Sequence, residues 1–595
     1  MNHPIQILHT LSRCLSAFGW FKTFHQSAWI VVALRCVVMG LCGIIVQIQA
    51  ATSPSAPTVG TQFNQIPSRP INQPKTSPQL QLEQDSTAVE ETGSPDMTTI
   101  PVREIKISDA SVFSEKELLK ISGYNGPGDL TLKTLRSYAA RIADYYHQNG
   151  YLLAQVYLPA QDIVKGIVQI SVIEGRFGAV TVRNETGYAD ALLTEVLYGL
   201  RSGDPISVSS LESRLLLLSD IPGMNVKSTF VPGRDTGTSD LFITATPGDL
   251  INGNIIADNS GNTYSGKNRA IASVNINNPS GYGDVISLRG MSTFNGLNYG
   301  RFAYQIQSNR LKLGADFSKM DYNLNDPFAG VNGNGTTTNV FGSYALLRTR
   351  KNNLYVQMAY ESKVLRDALS DKRVNLITAT LSGDRRDAIL GNEGTSNFSL
   401  ALSAGRLNIE SGADLAADQA STGAHVNGRF NRVGMSLTRL QKLNEKTNLY
   451  VSLSGQGASK NMDVSEKFSL GGANSVRAYP EGEAYGDIGY ILTVELRRKL
   501  DDVWGLPGEF QATTFLDTGT DLLYKSLDAS NTNSLIVTST GNRRTLTGIG
   551  VGLDWSDGGD TSLRASYAHK LGAAATTSVI NASGGQFWIQ GSQNF

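Results

Sequence analysis

Residues 471–500 read GGANSVRAYPEGEAYGDIGYILTVELRRKL, and residues 510–519 read FQATTFLDTG. The first stretch opens as a glycine-rich loop with one cation, Arg477, and continues as a strand with alternating faces. The second is a strand whose polar face ends at Asp517. If that face lines the lumen of a barrel, Arg477 folds inward and meets Asp517 or Glu495 as a shielded ion pair. The alternative is an exposed loop arginine and an unrelated strand-end aspartate.

Two short motifs in these stretches resemble the signature of one superfamily, the outer-membrane assembly and two-partner secretion proteins. Its members carry a Val-Arg-Gly-Phe/Tyr loop motif and a Phe-x-Asp-x-Gly strand motif. The matching residues are Val476, Arg477, Ala478 and Tyr479 in the loop, and Phe515, Asp517 and Gly519 in the strand. The resemblance implies that the loop enters the barrel and that its arginine pairs with the strand aspartate. Ala478 stands where the family has glycine, which bears on the backbone geometry of the loop.

Composition excludes several classes of protein. The chain has 595 residues, enough for several domains, with 52 basic and 52 acidic side chains and no basic patch that favours nucleic acid. No apolar run after residue 50 approaches the ~18 residues of a membrane-spanning helix. After residue 50 the histidines are isolated, and no nucleophile elbow, P-loop or dinucleotide motif occurs. We therefore expect no enzyme activity, no metal site and no cofactor.

The N-terminal 50 residues are typical of a long export signal. Their apolar core is Val37–Val46, and small residues follow at Ala50-Ala51, where we predict cleavage. The alternative, a transmembrane anchor, is disfavoured because Arg35 interrupts the longer apolar run. All three cysteines lie in this segment, so the mature chain is predicted to lack thiols, which suits passage through an oxidising periplasm.

Residues 51–100 are rich in Pro, Ser, Gln and Thr and are predicted to be a linker, because they cannot bury a core. Leu80–Glu91 carries the one weak helical pattern in this linker. Relatives in the superfamily have a plug helix that passes through the barrel before such a linker. The resemblance therefore implies that the linker can hold a plug helix.

Residues 101–175 and 176–249 repeat one β-α-α-β-β scheme. In the first repeat, Ser114 with Glu117 predicts a capping box and Thr131–Gln148 a second helix. In the second repeat, Ser209–Leu218 is predicted to be a helix with Glu212 completing its capping box. The repeats resemble POTRA domains, the periplasmic modules of the same superfamily. From the residues alone, a generic tandem of α+β binding modules is an equal alternative.

The last two strands of each repeat are predicted to pair as a hairpin, which leaves the first of them at the sheet edge. In the second repeat this edge is Val226–Val231. An unpaired edge can add an extended polypeptide as a further strand, so we predict that it binds substrate. The alternative is an edge covered by a neighbouring domain or by the linker. The predicted edge of the first repeat is Leu153, Ala154, Gln155, Val156, Tyr157 and Leu158.

Residues 250–595 alternate apolar with small or polar side chains in strand after strand, as in Leu354–Glu361. In a soluble sandwich the apolar faces would meet in a core, whereas in a membrane barrel they face lipid. Repeat lengths fit about 16 antiparallel strands, a number that the superfamily also has. Phe587, Ile589 and the terminal Phe595 share a face of the last strand, and a terminal Phe resembles the signal by which outer-membrane barrels are recognised for assembly. A membrane barrel is the prediction.

The predicted fold is therefore a β-barrel of about 16 strands preceded by two α+β POTRA domains. The resemblance implies a translocator of two-partner secretion in the bacterial outer membrane, with its POTRA domains in the periplasm. The expected partners are one large secreted exoprotein (haemolysin-like or adhesin-like), membrane lipid, and the barrel-assembly machinery. Two alternatives stay open, a barrel-assembly insertase of the same superfamily and a receptor or porin. The number of POTRA domains favours export over insertion.

Overall fold

The computed structural model describes residues 56–66, 79–82, 99–367, 370–421, 423–501, 503, 505–526, 541–572, 574, 576–579 and 584–595. The predicted export signal and its cleavage site lie outside these ranges. Within them, no helix is both long and apolar enough to cross a membrane.

The first repeat is a three-stranded sheet covered by two helices, with a separate two-stranded ladder beside it. The sheet order is β3-β6-β5 and the ladder is β2-β4. Both helices begin where the sequence predicts, because Ser114 and Thr131 accept the backbone N–H of Glu117 and Thr134. The elements are β2 (Thr99–Val102), β3 (Glu104–Ser108), α2 (Glu115–Ser122), β4 (Gly128–Thr131), α3 (Leu132–Gln148), β5 (Gln155–Tyr157) and β6 (Ile167–Ile173).

The second repeat is a four-stranded sheet of order β1-β8-β9-β7, with two helices on one face. Its outermost strand, β1, comes from the linker rather than from the repeat itself. Leucines and isoleucines of both helices and of β9 form its core and are buried. The elements are β1 (Gln79–Leu82), β7 (Arg176–Asn184), α4 (Asp190–Leu197), α5 (Val208–Ser219), β8 (Met224–Pro232) and β9 (Thr238–Pro247).

Two local predictions in these regions are wrong. The helix predicted at Leu80–Glu91 is replaced over residues 80–82 by strand β1, and its remainder lies outside the described residues. The capping box predicted from Ser209 and Glu212 does not form, because α5 begins earlier, with Ser207 at its N-cap. Glu212 instead pairs with Arg350, far along the chain. The Glu212 carboxylate therefore forms a tertiary ion pair instead of capping the helix.

The third region is a closed antiparallel barrel of 16 strands, as predicted. The last strand pairs with the first, and Phe595 and Gly253 exchange backbone hydrogen bonds of 3.1 and 2.9 Å. The strands are β10 (Ile251–Asp258), β11 (Arg269–Asn277), β12 (Asp284–Ser292), β13 (Leu297–Ser308), β14 (Leu311–Asn323), β15 (Asn332–Arg348), β16 (Asn352–Asp367), β17 (Ser370–Asp387), β18 (Gly394–Ile409), β19 (Gly428–Lys442), β20 (Thr447–Ala458), β23 (Ile488–Leu500), β24 (Glu509–Leu522), β25 (Arg543–Ser556), β26 (Thr561–Lys570) and β27 (Gly585–Asn594).

The two faces of the barrel wall differ as the alternation predicts. Met358, Leu402 and Phe587 are 53, 56 and 54% exposed, because they point outward from the wall. We call the end where β9 leads into β10 the lower end and the opposite end the upper end. Three shorter elements belong to upper connections: helix α6 (Gly412–Gln419), and the strands β21 (Phe468–Leu470) and β22 (Ala484–Gly486), which pair with each other.

Candidate functional site

Arg477 lies near the tip of the lumen loop, residues 459–487, which leaves β20 and folds into the barrel before β23 begins. Its Nε and Nη2 atoms donate to the two carboxylate oxygens of Asp517, both at 2.8 Å. Its Nη1 lies 2.7 Å from Glu495 Oε1. Asp517 is 0% exposed, so the planar guanidinium meets a carboxylate shielded from water. The structure thus brings the three predicted lock residues together inside the barrel.

The rest of the loop motif packs tightly around this pair. Val476, Ala478 and Tyr479 are fully buried, and the Arg477 guanidinium stacks over the Phe515 ring at 3.4 Å. A Cβ added to Gly548 of β25 would lie 2.4 Å from the Ala478 Cβ. Ala478 therefore fits where the family has glycine, because the wall opposite it carries no side chain.

Gly519, the last residue of the strand motif, also leaves space for the lumen loop, because it has no side chain. A Cβ at this position would approach the Leu470 side chain of β21 to 2.8 Å. The strand motif thus supplies the aromatic platform at Phe515, the carboxylate at Asp517 and, at Gly519, the space into which the loop packs.

Three further ion-pair sites hold the lumen loop, and sequence analysis missed all of them. The partners are far apart along the chain, and no local pattern marks them. Each acid is nearly fully buried, so each contact is shielded from water. The pairs are Asp463 with Lys372 at 2.8 Å, Glu466 with Lys363 at 2.7 Å and with Arg432 at 3.0 Å, and Glu483 with Arg544 at 2.7 Å.

A short plug helix, α1 (Val59–Asn64), lies inside the upper end of the barrel. The Val59 N–H donates to Asp367 Oδ2 at 3.1 Å, and Ser265 donates to Gln62 at 2.7 Å. Gly60 touches the turn Val464–Glu466 of the lumen loop, where an added Cβ would lie 2.7 Å from the Val464 side chain. The helix inside the barrel thus precedes the pattern at Leu80–Glu91. Six residues are too few to show a helical period in the sequence.

The two predicted sheet edges differ. In the second repeat, Lys227–Phe230 of β8 pair in parallel with Gln79–Leu82, so the linker covers this edge. The prediction that Val226–Val231 is unpaired is wrong. In the first repeat only Gln155–Tyr157 forms a strand, shorter than the predicted Leu153–Leu158, and it pairs with β6 alone among the described strands.

The second repeat is held against the lower end of the barrel by a buried ion pair. One edge of the Arg348 guanidinium meets the Asp220 carboxylate, with Nε–Oδ2 at 2.6 Å and Nη2–Oδ1 at 2.8 Å. Arg348 is 2% exposed and also donates to Asn353, which in turn donates to Asp384 of β17. This network links α5 of the second repeat to the lower ends of β15, β16 and β17.

The buried carboxylate of Glu174 lies at the junction between the two repeats and contacts both. Glu174 accepts the backbone N–H groups of Ser111 and Val112 at 2.6 and 2.7 Å, and the Tyr146 hydroxyl at 3.0 Å. It also pairs with Arg176 at 2.7 Å. Burial opposes the charge of Glu174, but these donors outweigh it and hold its pKa below the usual value. Burial and the neighbouring carboxylate raise the pKa of Tyr146.

No group of three or more His, Cys, Asp or Glu side chains in the described part of the chain is placed to hold a metal ion. The contacts described above comprise a loop held in the lumen, a helix against it, and two sheet edges at the lower end, one of them paired with the linker.

The comparison with protein families decides the assignment. The model described as haemolysin secretion/activation protein ShlB/FhaC/HecB matches residues 237–554, and a ShlB-type POTRA domain matches residues 100–175. The chain belongs to the haemolysin secretion/activation family. Members of this family are outer-membrane transporters of two-partner secretion, with the POTRA domains on the periplasmic side. The lower end of the barrel is thus periplasmic and the upper end faces outward.

Similar proteins agree with this family. The heme/hemopexin transporter protein HuxB of Haemophilus influenzae is 26% identical over 82% of this chain and 86% of its own length. The outer membrane transporter CdiB of Dickeya dadantii is 21% identical over 68% of this chain and 73% of its own. The structure of CdiB from Escherichia coli matches with a TM-score of 0.67 at 20% identity, covering 90% of this chain and 96% of that one, which shows the shared fold.

Proposed function

We propose that this transporter exports one large exoprotein, haemolysin-like or adhesin-like, by capturing it as an extended chain on its POTRA sheet edges. One observation carries the proposal: β8 already accepts an extended segment, the linker strand β1, as an added strand. The pairing covers Gln79–Leu82 and uses main-chain groups, so it places little demand on sequence. An edge that accepts the linker can accept a cargo segment in the same way.

The two edges act in series in this proposal. The edge at Gln155–Tyr157 pairs with β6 on one side, and its Gln155 and Tyr157 side chains are exposed. Cargo binds there first and then displaces β1 from β8. Because β1 and the plug helix belong to the same linker, cargo binding at β8 also releases the segment that leads to the plug.

The chain acts without a catalytic step. The periplasm holds no nucleotide supply, so the driving force is the folding of the exoprotein outside the cell. HuxB, to which the chain is similar, is named as a heme/hemopexin transporter, so an exoprotein that binds heme or hemopexin is a further cargo class to test.

The test is to release the linker strand. The variant Leu80→Pro/Gln81→Pro places two adjacent prolines in β1, which removes two backbone donors and disrupts the pairing. The matched control, Ser86→Pro/Thr87→Pro, adds the same residues further along the linker. The probe is the purified N-terminal fragment of an exoprotein whose export is shown to require this transporter, and its Kd is measured by calorimetry.

We expect the Leu80→Pro/Gln81→Pro variant to bind the fragment several-fold more tightly than the control, since no linker competes for β8. Gln155→Pro, in the edge of the first repeat, should weaken binding while circular dichroism shows a folded domain. Equal affinity in the linker variant and its control, together with unchanged binding to Gln155→Pro, would refute capture at these edges.

A further inference from the structure

One half of the inner wall of the barrel, which we call the charged half, is rich in buried ion pairs, and a separate part of the wall carries a neutral band. On the strands β10–β14 and β23–β25, inward-pointing side chains form ion pairs with one another or with the lumen loop. Each of these pairs has at least one side chain that is 5% exposed or less. They are Arg269 with Asp258, Arg301 with Asp316, Arg477 with Asp517, and Arg544 with Glu483.

The neutral band crosses four consecutive strands, β17–β20. Above the band these strands carry the paired cations Lys372 and Arg432, and below it Asp384. Ser382, Ser399, Ser436 and Ser454 are direct partners in the strand register, so one row of serines crosses four strands. In the row above it, Ala401 lies opposite Gly434. We call these six residues the hydroxyl lane. Their sequence neighbours Leu400, Met435 and Leu437 are 41, 51 and 52% exposed on the outer face, so the lane faces the lumen.

The hydroxyl lane has the surface chemistry that a moving, unfolded polypeptide requires. Its side chains are small and partly accessible, so the neighbouring lumen is not filled by them. A serine hydroxyl exchanges hydrogen bonds between water and a peptide group at small net cost. The lane offers no charge that would hold an opposite charge of the cargo, and no apolar patch that would retain its apolar side chains. The charged half of the wall, in contrast, would hold opposite charges of the cargo.

We propose that the exoprotein threads along the hydroxyl lane and not along the charged half of the wall. This inference rests on the proposed export function and names the path within it. The path is defined by β17–β20, the four strands that precede β23 in the barrel.

The two ends of the lane agree with this path. At the lower end, Asp384 of β17 belongs to the network of Asn353, Arg348 and Asp220 that holds the second repeat. The docking site of the cargo-binding domain thus lies beside the entrance of the lane.

At the upper end, the turn Val464–Glu466 lies across the strands of the lane. Glu466 pairs with Arg432 of β19, and its backbone oxygen accepts Gln456 of β20 at 2.9 Å. The same turn contacts Gly60 of the plug helix. A cargo chain that rises along the lane therefore reaches the turn that holds both the lumen loop and the plug.

Cysteine cross-linking tests the path, because the chain has no cysteine after Cys42. Ser399→Cys and Ser436→Cys place a thiol in the lane. The matched control, Ser273→Cys, places one on the inner face of β11 across the lumen, where the native residue is also a partly exposed serine. The probe is the exoprotein N-terminal segment with one cysteine, fused to a disulfide-stabilised domain that cannot enter the barrel. Disulfide adducts are measured in full-length transporter in outer membranes.

We expect adducts at Ser399→Cys and Ser436→Cys to exceed those at Ser273→Cys at least several-fold. Equal or greater yield at Ser273→Cys overturns the lane, as does the absence of adducts in the lane when the probe co-purifies with the transporter and blocks export. A probe that neither co-purifies nor blocks export contradicts the proposed export function itself. As a second measurement, Ser436→Arg should reduce export strongly and Ser273→Arg only slightly, with folded barrel present in both; the reverse order also overturns the lane.

Discussion

At the scale of single residues, the molecule depends on charges that are buried in pairs. Arg477 is the clearest case, because one guanidinium serves both Asp517 and Glu495, and Thr493 and Arg497 bind the two carboxylates from their other sides. A buried pair of this kind contributes little net stability when intact. Removing one partner is costly, because the remaining charge is left buried with neither a partner nor water.

Arg477→Ala should therefore release the lumen loop and reduce export while the barrel still assembles. Breaking a buried pair costs about 3–5 kcal/mol, so we expect export to fall by tenfold or more. Arg477→Lys should be intermediate, since a lysine cannot make the two parallel bonds and the Glu495 contact together. Secreted cargo and heat-modifiable barrel are measured in parallel.

The matched control is Arg564→Ala, which removes an inward arginine whose side chain is 64% exposed in its pair with Asp554. A surface pair contributes little, so export should stay close to wild type. Wild-type secretion by Arg477→Ala, or an equal loss in both variants, would show that the Arg477 pair has no special role.

Glu174 gives a second prediction, for the junction of the repeats. Its pKa is lowered in the folded protein, so its contribution to stability is present above its usual pKa of 4.5 and is lost as pH falls through the lowered value. Glu174→Gln should destabilise the first repeat at pH 7 by about 1–3 kcal/mol, because charged hydrogen bonds are lost.

Hydrogen exchange of residues 99–175 in the full-length protein, compared with wild type at the same pH, is the measurement. The difference between wild type and Glu174→Gln should be large at pH 7 and should shrink in strong acid. A difference that grows in acid would contradict the assigned direction of the pKa shift.

At the scale of elements, the decisive contacts are those between helix α5 and the barrel rim. Arg348 and Asp220 come from different domains and are joined by two short hydrogen bonds in a buried setting. Their geometry sets the orientation of the second repeat, and hence of β8, beneath the barrel.

Arg348→Asp should detach the second repeat, because it places two carboxylates in contact, and export should fall strongly. The charge swap Arg348→Asp/Asp220→Arg restores opposite charges and should recover a large part of export. Spin-label distances between the second repeat and β16 report the orientation directly. If the single variant keeps the wild-type distance distribution, or the swap is no better than the single variant, the pair does not set the orientation.

The same contacts show what could be predicted from sequence and what could not. Strand faces such as Leu354–Glu361 and the N-caps at Ser114 and Thr131 were predictable, because they depend on residues a few positions apart. Strand β1 was not, because four residues in a polar linker become a strand only when β8 supplies the partner. Glu212 was misassigned for the same reason, since its partner Arg350 belongs to another domain.

At the scale of the whole molecule, Phe595 extends the seam between the first and last strands that closes the barrel. Phe595 exchanges two backbone hydrogen bonds with Gly253, and a Cβ at Gly253 would lie 2.7 Å from the Phe595 ring. The terminal aromatic therefore covers a glycine in the first strand and completes the lower end of the seam.

Deletion of Phe595 should lower the amount of folded barrel in the outer membrane several-fold, because both the seam contact and the terminal aromatic are lost. Phe595→Tyr keeps the ring and the backbone bonds and serves as the control. Heat-modifiable mobility on gels measures folded barrel. Equal amounts of folded barrel in the deletion variant and the control would rule out this role.

The unequal lengths of the barrel strands also shape the exit. Strand β15 has 17 residues and β17 has 18, against 9 in β11. At about 3.3 Å per residue the longer strands extend roughly 26–30 Å further along their own axes. The lower connections are short, so this excess rises at the upper end, where Arg366, Asp371 and Arg373 carry exposed charges suited to water. The upper rim of the barrel is therefore higher along β15 and β17 than at β11. An emerging chain that leaves beside β16 and β17 therefore passes a row of exposed charges before it reaches bulk solvent.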